Sequence, residues 1–179
     1  MKKALVVVDV QNDFLTGPLG NKECAAVVPE VVRLLKSGEY AAIITTQDTH
    51  DRDYLSTQEG KNLPVKHCIE NTDGWKIHAD VKAAIDECMA DGALYVKTYK
   101  HTFGSLSLLP KVLANFADYD EIHFCGVCTS ICVISNVLIA KAAVPETKIC
   151  VIESACACVT PESHKTAIEA MKMCQVEIV

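Results

Sequence analysis

The chain has 179 residues, 50% of them hydrophobic, and its 17 basic and 23 acidic side chains give a formal net charge of −6. This length suits a single domain over residues 1–179, and the acidic balance argues against a protein that binds nucleic-acid phosphates. The N-terminus has too few apolar residues for a signal peptide, and no run reaches the roughly 18 apolar residues of a membrane span, so we expect a soluble cytosolic protein.

Short apolar runs alternate along the chain with segments of helical period. The strand-like runs lie at 4–8, 41–45, 93–96, 122–125, 148–152 and 176–179. Helical periodicity fits residues 25–36, 80–90, 106–116, 130–142 and 161–173. This alternation predicts an α/β protein with a three-layer, doubly wound, Rossmann-like sheet of six parallel strands.

Residues 47–79 interrupt this rhythm with a polar stretch that contains Gly and Pro and has no sustained period. Loops of this length are uncommon inside compact domains, and the ordered ones usually carry function. Ligands in open α/β sheets bind beyond the carboxyl ends of the strands. The residues that follow each apolar run are therefore the first candidates for a site.

Three of these positions carry reactive side chains. Asp9 follows the first strand, Lys97 follows the third, and Cys132 lies near the start of the helix predicted after the fourth. Taken singly, Asp9 fits a turn cap, Lys97 a solvated surface charge, and Cys132 an inert buried thiol. Together they favour one shared cleft, because the carboxyl ends of parallel strands meet at the same edge of a sheet.

The cysteines of this region allow two interpretations. A thiol at a helix N-terminus has a lowered pKa, so we expect Cys132 to be partly thiolate near neutrality and to act as a nucleophile beside free backbone amides. The alternative reads Cys125, Cys128 and Cys132 as a redox pair or metal cluster. Cys125 falls inside an apolar strand, which disfavours the cluster.

The residues at these strand ends resemble the isochorismatase-like cysteine hydrolases, and among them the nicotinamidase branch. The matching features are an Asp followed by Gln-Asn-Asp-Phe, a Lys after the third strand, and Gly-Val-x-Thr-x-x-Cys-Val, which here are Asp9 with 11–14, Lys97, and 126–133. The resemblance extends over nearly the whole chain. It implies the isochorismatase-like hydrolase fold and an enzyme that hydrolyses amides.

The resemblance implies a role for each member of the cleft. Asp9 would be the general acid and base, Lys97 would lower the pKa of the thiol, and Cys132 would attack the amide to form a thioester. A cis peptide bond between Val127 and Cys128 is implied as well. The backbone amides of Cys128 and Cys132 would form the oxyanion hole.

The long loop carries candidate metal ligands. Asp48, His50 and His67 combine carboxylate and imidazole groups, which suit zinc, iron or manganese, although from spacing alone they also fit ordinary polar loop residues. The resemblance implies a divalent metal site at these three residues, with Glu59 as a fourth ligand. The metal, for which we expect zinc with iron or manganese as alternatives, would bind the pyridine nitrogen of nicotinamide rather than activate water.

The resemblance also implies a substrate pocket and an assembly. Phe14 and Phe103 match pocket positions, Leu63 occupies a pocket position where the family usually has an aromatic residue, and the family forms homodimers or homotetramers. The implied reaction converts nicotinamide to nicotinate and ammonia. The open alternatives are hydrolysis of another small amide, such as a carbamoyl or ureido compound, and an idle binding or redox thiol protein.

Overall fold

The computed structural model describes residues 1–106 and 109–179, and in these residues six strands form one parallel sheet. In chain order the strands are β1 (Lys3–Val8), β2 (Tyr40–Asp48), β3 (Leu94–Lys100), β4 (Glu121–Val127), β5 (Lys148–Ala157) and β6 (Glu177–Ile178). Their order across the sheet is β3-β2-β1-β4-β5-β6. The predicted doubly wound α/β fold is confirmed, with the reversal of strand order between β1 and β4.

Eight α-helices lie in the described parts of the chain. They are α1 (Asn12–Leu15), α2 (Lys22–Ala26), α3 (Val28–Leu35), α4 (Gln58–Asn62), α5 (Ala79–Ala90), α6 (Leu109–Ala114), α7 (Ile134–Ala143) and α8 (Pro161–Met173). A 3₁₀ turn (Tyr54–Ser56) precedes α4, and a π-helical turn (Thr129–Val133) precedes α7. None of the helices in these parts is long and apolar enough to cross a membrane.

Most predicted helices are observed with shifted ends. The helix predicted at 25–36 is divided into α2 and α3, because Pro29 in the first turn of α3 has no amide hydrogen to continue the preceding helix. Of the helix predicted at 106–116, the structure shows α6, while residues 107 and 108 lie outside the described residues. The predicted loop 47–79 contains the short helix α4.

The core lies around β1. Residues 4–8 are fully buried, and β1 pairs with β2 on one side and β4 on the other. An apolar run without alternation is what a strand with both faces covered requires. On the two sides of the sheet, α3 packs against α5, and α7 packs against α6 and α8.

The strand β3 extends beyond its predicted end. The apolar run predicts a strand that stops at Val96, whereas β3 continues to Lys100 and pairs Lys100 with Asp48 of β2. Side chains alternate between the two faces of a strand, so Thr98 and Lys100 are buried while Lys97 is exposed. The carboxyl end of this strand therefore presents Lys100 to the sheet edge.

Gly126 allows β4 to approach β1 closely where the strand order reverses. Its φ is +119°, and a Cβ there would overlap the carbonyl oxygen of Val8. We expect Gly126→Ala to lower the free energy of unfolding by about 3 kcal/mol or more, since backbone strain and overlap both oppose it. Gly38 has φ +74° with no atom near its absent Cβ, so Gly38→Ala should cost only about 1 kcal/mol.

Urea denaturation measures both variants under the same conditions. Equal losses of stability would show that contact with Val8 does not determine the requirement for glycine at position 126.

Candidate active site and metal centre

Asp9 lies directly beyond β1 and is completely buried. Its φ is +49°, a conformation that Asp adopts more readily than most residues, and it turns the chain sharply at the end of the strand. The Thr46 hydroxyl donates a hydrogen bond of 2.7 Å to Oδ1. Oδ2 lies 2.6 Å from the Lys100 ammonium, and among the described residues it is the buried side-chain oxygen without an aligned hydrogen bond.

Lys100 joins the acidic groups to the thiol. Its Nζ atom lies 2.6 Å from Asp9 Oδ2, 3.2 Å from Asp48 Oδ1 and 3.5 Å from Cys132 Sγ. The side chain is only 1% exposed. The buried ammonium group thus contacts the carboxylates of Asp9, just beyond β1, and Asp48, in β2. It also contacts the sulfur of Cys132, which follows β4.

The prediction that Lys97 joins Asp9 and Cys132 is wrong. Lys97 is exposed, and its Nζ atom lies 5.7 Å from the centre of the Tyr95 ring. Residues 97 and 100 fall on opposite faces of β3, and only Lys100 points toward the cleft. The pairing of Lys100 with Asp48 at the end of β2 decides which lysine enters the cleft, and the sequence carries no signal for this pairing.

Cys132 lies in the π-helical turn Thr129–Val133 rather than in the first turn of an α-helix. The carbonyl oxygen of Cys128 accepts a hydrogen bond of 3.0 Å from the Ile131 amide, which closes the turn. The peptide bond between Val127 and Cys128 is cis, and this confirms the expectation from the resemblance. The turn holds the Cys132 sulfur in the cleft with the residue only 5% exposed.

Asn136, which the sequence analysis did not select, fixes this turn from α7. Its Nδ2 group donates to the carbonyl oxygens of Cys132 (2.8 Å) and Phe103 (3.0 Å), and its Oδ1 atom accepts from the Ser105 amide (2.9 Å). The buried amide therefore ties the turn that carries the thiol to the segment that follows β3.

Burial dominates the protonation of the thiol. Burial raises the pKa of Cys132 well above its ordinary value, the Lys100 ammonium opposes this, and the Asp9 carboxylate adds to it. Burial also raises the pKa of Asp9, with Lys100 acting against it. The prediction that Cys132 rests partly as a thiolate near neutrality is wrong, because desolvation outweighs the favourable charge beside it.

The structure brings the four predicted metal ligands together. His50 Nε2 lies 3.0 Å from Asp48 Oδ2 and 3.5 Å from Glu59 Oε1, and His67 Nε2 lies 3.4 Å and 3.8 Å from the same two oxygens. All four donor atoms lie within 4.8 Å of one another. Two imidazoles and two carboxylates facing one point fit a divalent transition metal such as zinc, iron or manganese.

The charge of Lys100 also reaches this cluster. Burial by itself would raise the pKa of Asp48, but Lys100 and the hydrogen bonds from His50 and His67 together hold it well below its usual range. Burial and the Asp48 carboxylate raise the pKa of Glu59. Asp48 is therefore the anionic ligand at the centre of the cluster.

Two residues just after Asp9 position the ligands. Gln11 accepts a hydrogen bond from the Asp48 amide (2.7 Å) and donates one to the Asp48 carbonyl oxygen (2.9 Å). The Asp13 carboxylate accepts from the amide of Cys68, the residue after His67, at 2.7 Å. Such supporting contacts orient metal ligands, and the sequence analysis included these residues only as part of a matching motif.

A cavity of about 610 Å³ opens beside the metal ligands. Among its lining residues are His50, Glu59, Leu63 and Phe103, so two of the predicted pocket residues lie there. The third, Phe14, is buried behind the cluster, with its ring centre 5.6 Å from that of His67. The sequence analysis missed other lining residues, which include Tyr54, His101 and Thr102.

Comparisons with known proteins agree over the whole chain. The sequence model of the Isochorismatase domain family matches residues 3–179. The nicotinamidase of Schizosaccharomyces pombe is 24% identical, with 98% of this chain and 92% of that protein covered. The nicotinamidase/pyrazinamidase of Mycobacterium tuberculosis is 25% identical, with 99% and 98% covered. The crystal structure of the pyrazinamidase of Pyrococcus horikoshii in complex with zinc matches with a TM-score of 0.79 and 26% identity, covering 100% and 99% of the chains.

We predict that Lys100 is essential to the stability of the cleft. Lys100→Met leaves Asp9 and Asp48 facing each other in a buried site, so the free energy of unfolding should fall by about 3–5 kcal/mol. Lys97→Met, on the exposed face of the same strand, should change it by less than about 0.5 kcal/mol. Urea denaturation with a chelator present measures both, and similar values for the two variants would contradict the assignment.

We also predict about one divalent ion per chain in the purified protein, measured by inductively coupled plasma mass spectrometry. His67→Ala should weaken the affinity for the ion by more than about a hundredfold, because it removes one of the four ligand atoms that lie around a common point. His78→Ala, which alters the cap of α5, is the matched control. A His67→Ala protein that keeps the wild-type ion content would show that the ion binds elsewhere.

Proposed function

The chain belongs to the isochorismatase family and is a nicotinamidase-like hydrolase, and we propose that it converts nicotinamide to nicotinate and ammonia. The observation that carries the proposal is the position of Lys100, whose Nζ atom contacts Asp9, Cys132 and the metal ligand Asp48. This contact places a nucleophile, a proton carrier and a cation beside a cluster of metal ligands.

The reaction begins with a proton transfer, because the thiol rests protonated. Asp9 Oδ2 accepts the proton of Cys132 as the sulfur attacks the carboxamide carbon. Oδ2 is suited to this role because it faces Lys100, which also lies 3.5 Å from the Cys132 sulfur, whereas Oδ1 is bound to Thr46. Lys100 stays charged, since the acidic groups around it raise its pKa against the effect of burial, and it stabilises the negative charge that moves between sulfur and carboxylate.

The tetrahedral intermediate then collapses to a thioester. The backbone amides of Cys128 and Cys132 would hold the oxyanion, since Cys132 lies in the π-helical turn and Cys128 directly precedes it. Asp9 returns its proton to the departing nitrogen, and ammonia leaves. A water molecule gives a proton to Asp9 and attacks the thioester, and Asp9 then passes this proton to the departing Cys132 sulfur. The product acid leaves and loses its own proton to solvent as nicotinate.

The metal ligands favour an aromatic amide that has a ring nitrogen. A divalent ion, for which we propose zinc, would be held by Asp48, His50, Glu59 and His67, and when bound it would supply a Lewis-acid partner for the pyridine nitrogen. Leu63 and Phe103 line the adjoining cavity and offer apolar surface to a flat ring. The carboxamide group of the substrate would contact the π-helical turn that carries Cys132.

The test is ammonia release from nicotinamide by the metal-loaded protein. Cys132→Ser should lower kcat by at least about a thousandfold, because the hydroxyl is a far weaker nucleophile for this site. Cys174→Ser removes an exposed thiol outside the cleft and should leave kcat unchanged. Benzamide, which lacks the ring nitrogen, should show a higher KM than nicotinamide.

Two results would contradict the proposal. Full activity of Cys132→Ser would remove the nucleophile from the mechanism. Ammonia release from a carbamoyl or ureido compound, with none from nicotinamide, would retain the mechanism and replace the substrate.

A further inference from the structure

Three cysteines that the proposed mechanism does not use as nucleophiles lie beside the catalytic turn. The sulfur atoms of Cys24 and Cys128 are 3.9 Å apart, and Cys158 follows the strand that neighbours the one before Cys128. The Ser130 hydroxyl lies 2.9 Å from Cys158 Sγ. Cys128 therefore occupies the middle of a row of three thiols.

The sheet register brings Cys128 and Cys158 side by side. Val127 of β4 pairs with Ala157 of β5, and the two cysteines are the next residues on these neighbouring parallel chains. Neighbouring strands lie about 4.8 Å apart, which falls within the range of roughly 4.4–6.8 Å between the Cα atoms of disulfide-bonded cysteines. The last paired residues thus have the spacing that a disulfide requires, and each cysteine is one residue beyond that pair.

The arrangement favours pairing over metal binding. The described residues contain two compact groups of potential metal ligands, and neither includes any member of this row. Three thiols in a row provide neighbouring sulfur pairs rather than a common centre for three donors.

We propose that Cys128 and Cys158 form an oxidation-sensitive site, which hydrogen peroxide converts to a disulfide and thiol reductants restore. The effect of this disulfide on catalysis rests on the proposed function, whereas its formation does not.

The chemistry proceeds in two steps. The Cys158 thiolate attacks one oxygen of hydrogen peroxide, so that an S–O bond forms, the O–O bond breaks and hydroxide leaves. The Cys128 thiol then attacks the Cys158 sulfenic acid, and the S–S bond forms as water leaves. The two sulfurs lose two electrons in total, and peroxide accepts both.

The surroundings of Cys158 prepare it to react first. Hydrogen bonds from Cys128 and Ser130 hold the pKa of Cys158 at about 4, against the effect of burial. Thiolates are the form that peroxide oxidises. Cys158 is 1% exposed and Cys128 is half-buried. Hydrogen peroxide, which is little larger than water, therefore reaches the site more readily than a bulky disulfide reagent does.

The disulfide would disturb the catalytic turn directly. Forming the bond draws the Cys128 sulfur to about 2.05 Å from Cys158. The Cys128 carbonyl oxygen accepts the hydrogen bonds of Ile131 and Val133, the residues on either side of Cys132. A displacement of about 1 Å at this turn is enough to lower kcat by about a hundredfold.

The experiment treats the metal-loaded protein with hydrogen peroxide and maps disulfides by peptide mass spectrometry before and after dithiothreitol. The proposal expects a Cys128–Cys158 linked peptide, together with a fall of about a hundredfold in kcat that dithiothreitol reverses. A linked Cys24–Cys128 peptide in its place, or no linked peptide when half of the activity has been lost, would overturn it.

Variants separate this site from oxidation of the nucleophile. Cys158→Ser should keep its basal activity and resist reversible inactivation, whereas Cys24→Ser, which removes the other neighbour of Cys128, should remain sensitive. Equal sensitivity of Cys158→Ser and wild type would assign the loss to Cys132 and overturn the proposal. Because peptide mapping needs no substrate, a failure of the nicotinamidase proposal would leave this part of the test intact.

Discussion

The buried ammonium group of Lys100 is the constraint on which the site depends. A charge with 1% exposure is costly to bury, and it is tolerated here because Asp9 and Asp48 lie 2.6 Å and 3.2 Å from it. The same cation lies 3.5 Å from the Cys132 sulfur. Because Asp48 is also one of the four candidate metal ligands, the thiol and the candidate metal cluster share one neighbouring cation. A change that moves Lys100 therefore affects both of them.

The strand order explains how distant residues reach this centre. Lys100, Asp48 and Asp9 stand at or just beyond the carboxyl ends of β3, β2 and β1, and Cys132 follows β4, so four strands that are adjacent in the sheet each contribute one group. The close approach of β4 to β1, which Gly126 permits, sets the distance between the last two groups. The geometry of catalysis is thus a consequence of sheet register more than of any local motif.

The sequence predicts the strands correctly where both faces of a strand are buried, because such a strand is a continuous run of apolar residues. The strands of the core are read directly from such runs, and the position of Asp9 after β1 follows from them. The end of the edge strand β3 was predicted too early. Its last residues, 97–100, are mostly polar, so they do not continue the apolar run by which the strand was recognised. The alternation of side chains and the partner Asp48 decide which lysine enters the cleft, and both depend on register. Sequence reasoning also failed for the protonation of Cys132, because burial is a tertiary property.

The segment after Asp9 shows how a loop without periodicity is held in place. Gln11 fixes the backbone of Asp48, and Asp13 accepts the amide that follows His67, so ligands on both sides of the loop are oriented from one short stretch. A side chain at Gly74 would overlap the Asp13 carboxylate, which keeps that part of the loop close. Since Asp9 begins the same stretch, it is joined by a few peptide bonds to the residues that orient the candidate metal ligands. A displacement of this stretch would therefore affect both Asp9 and the candidate metal cluster.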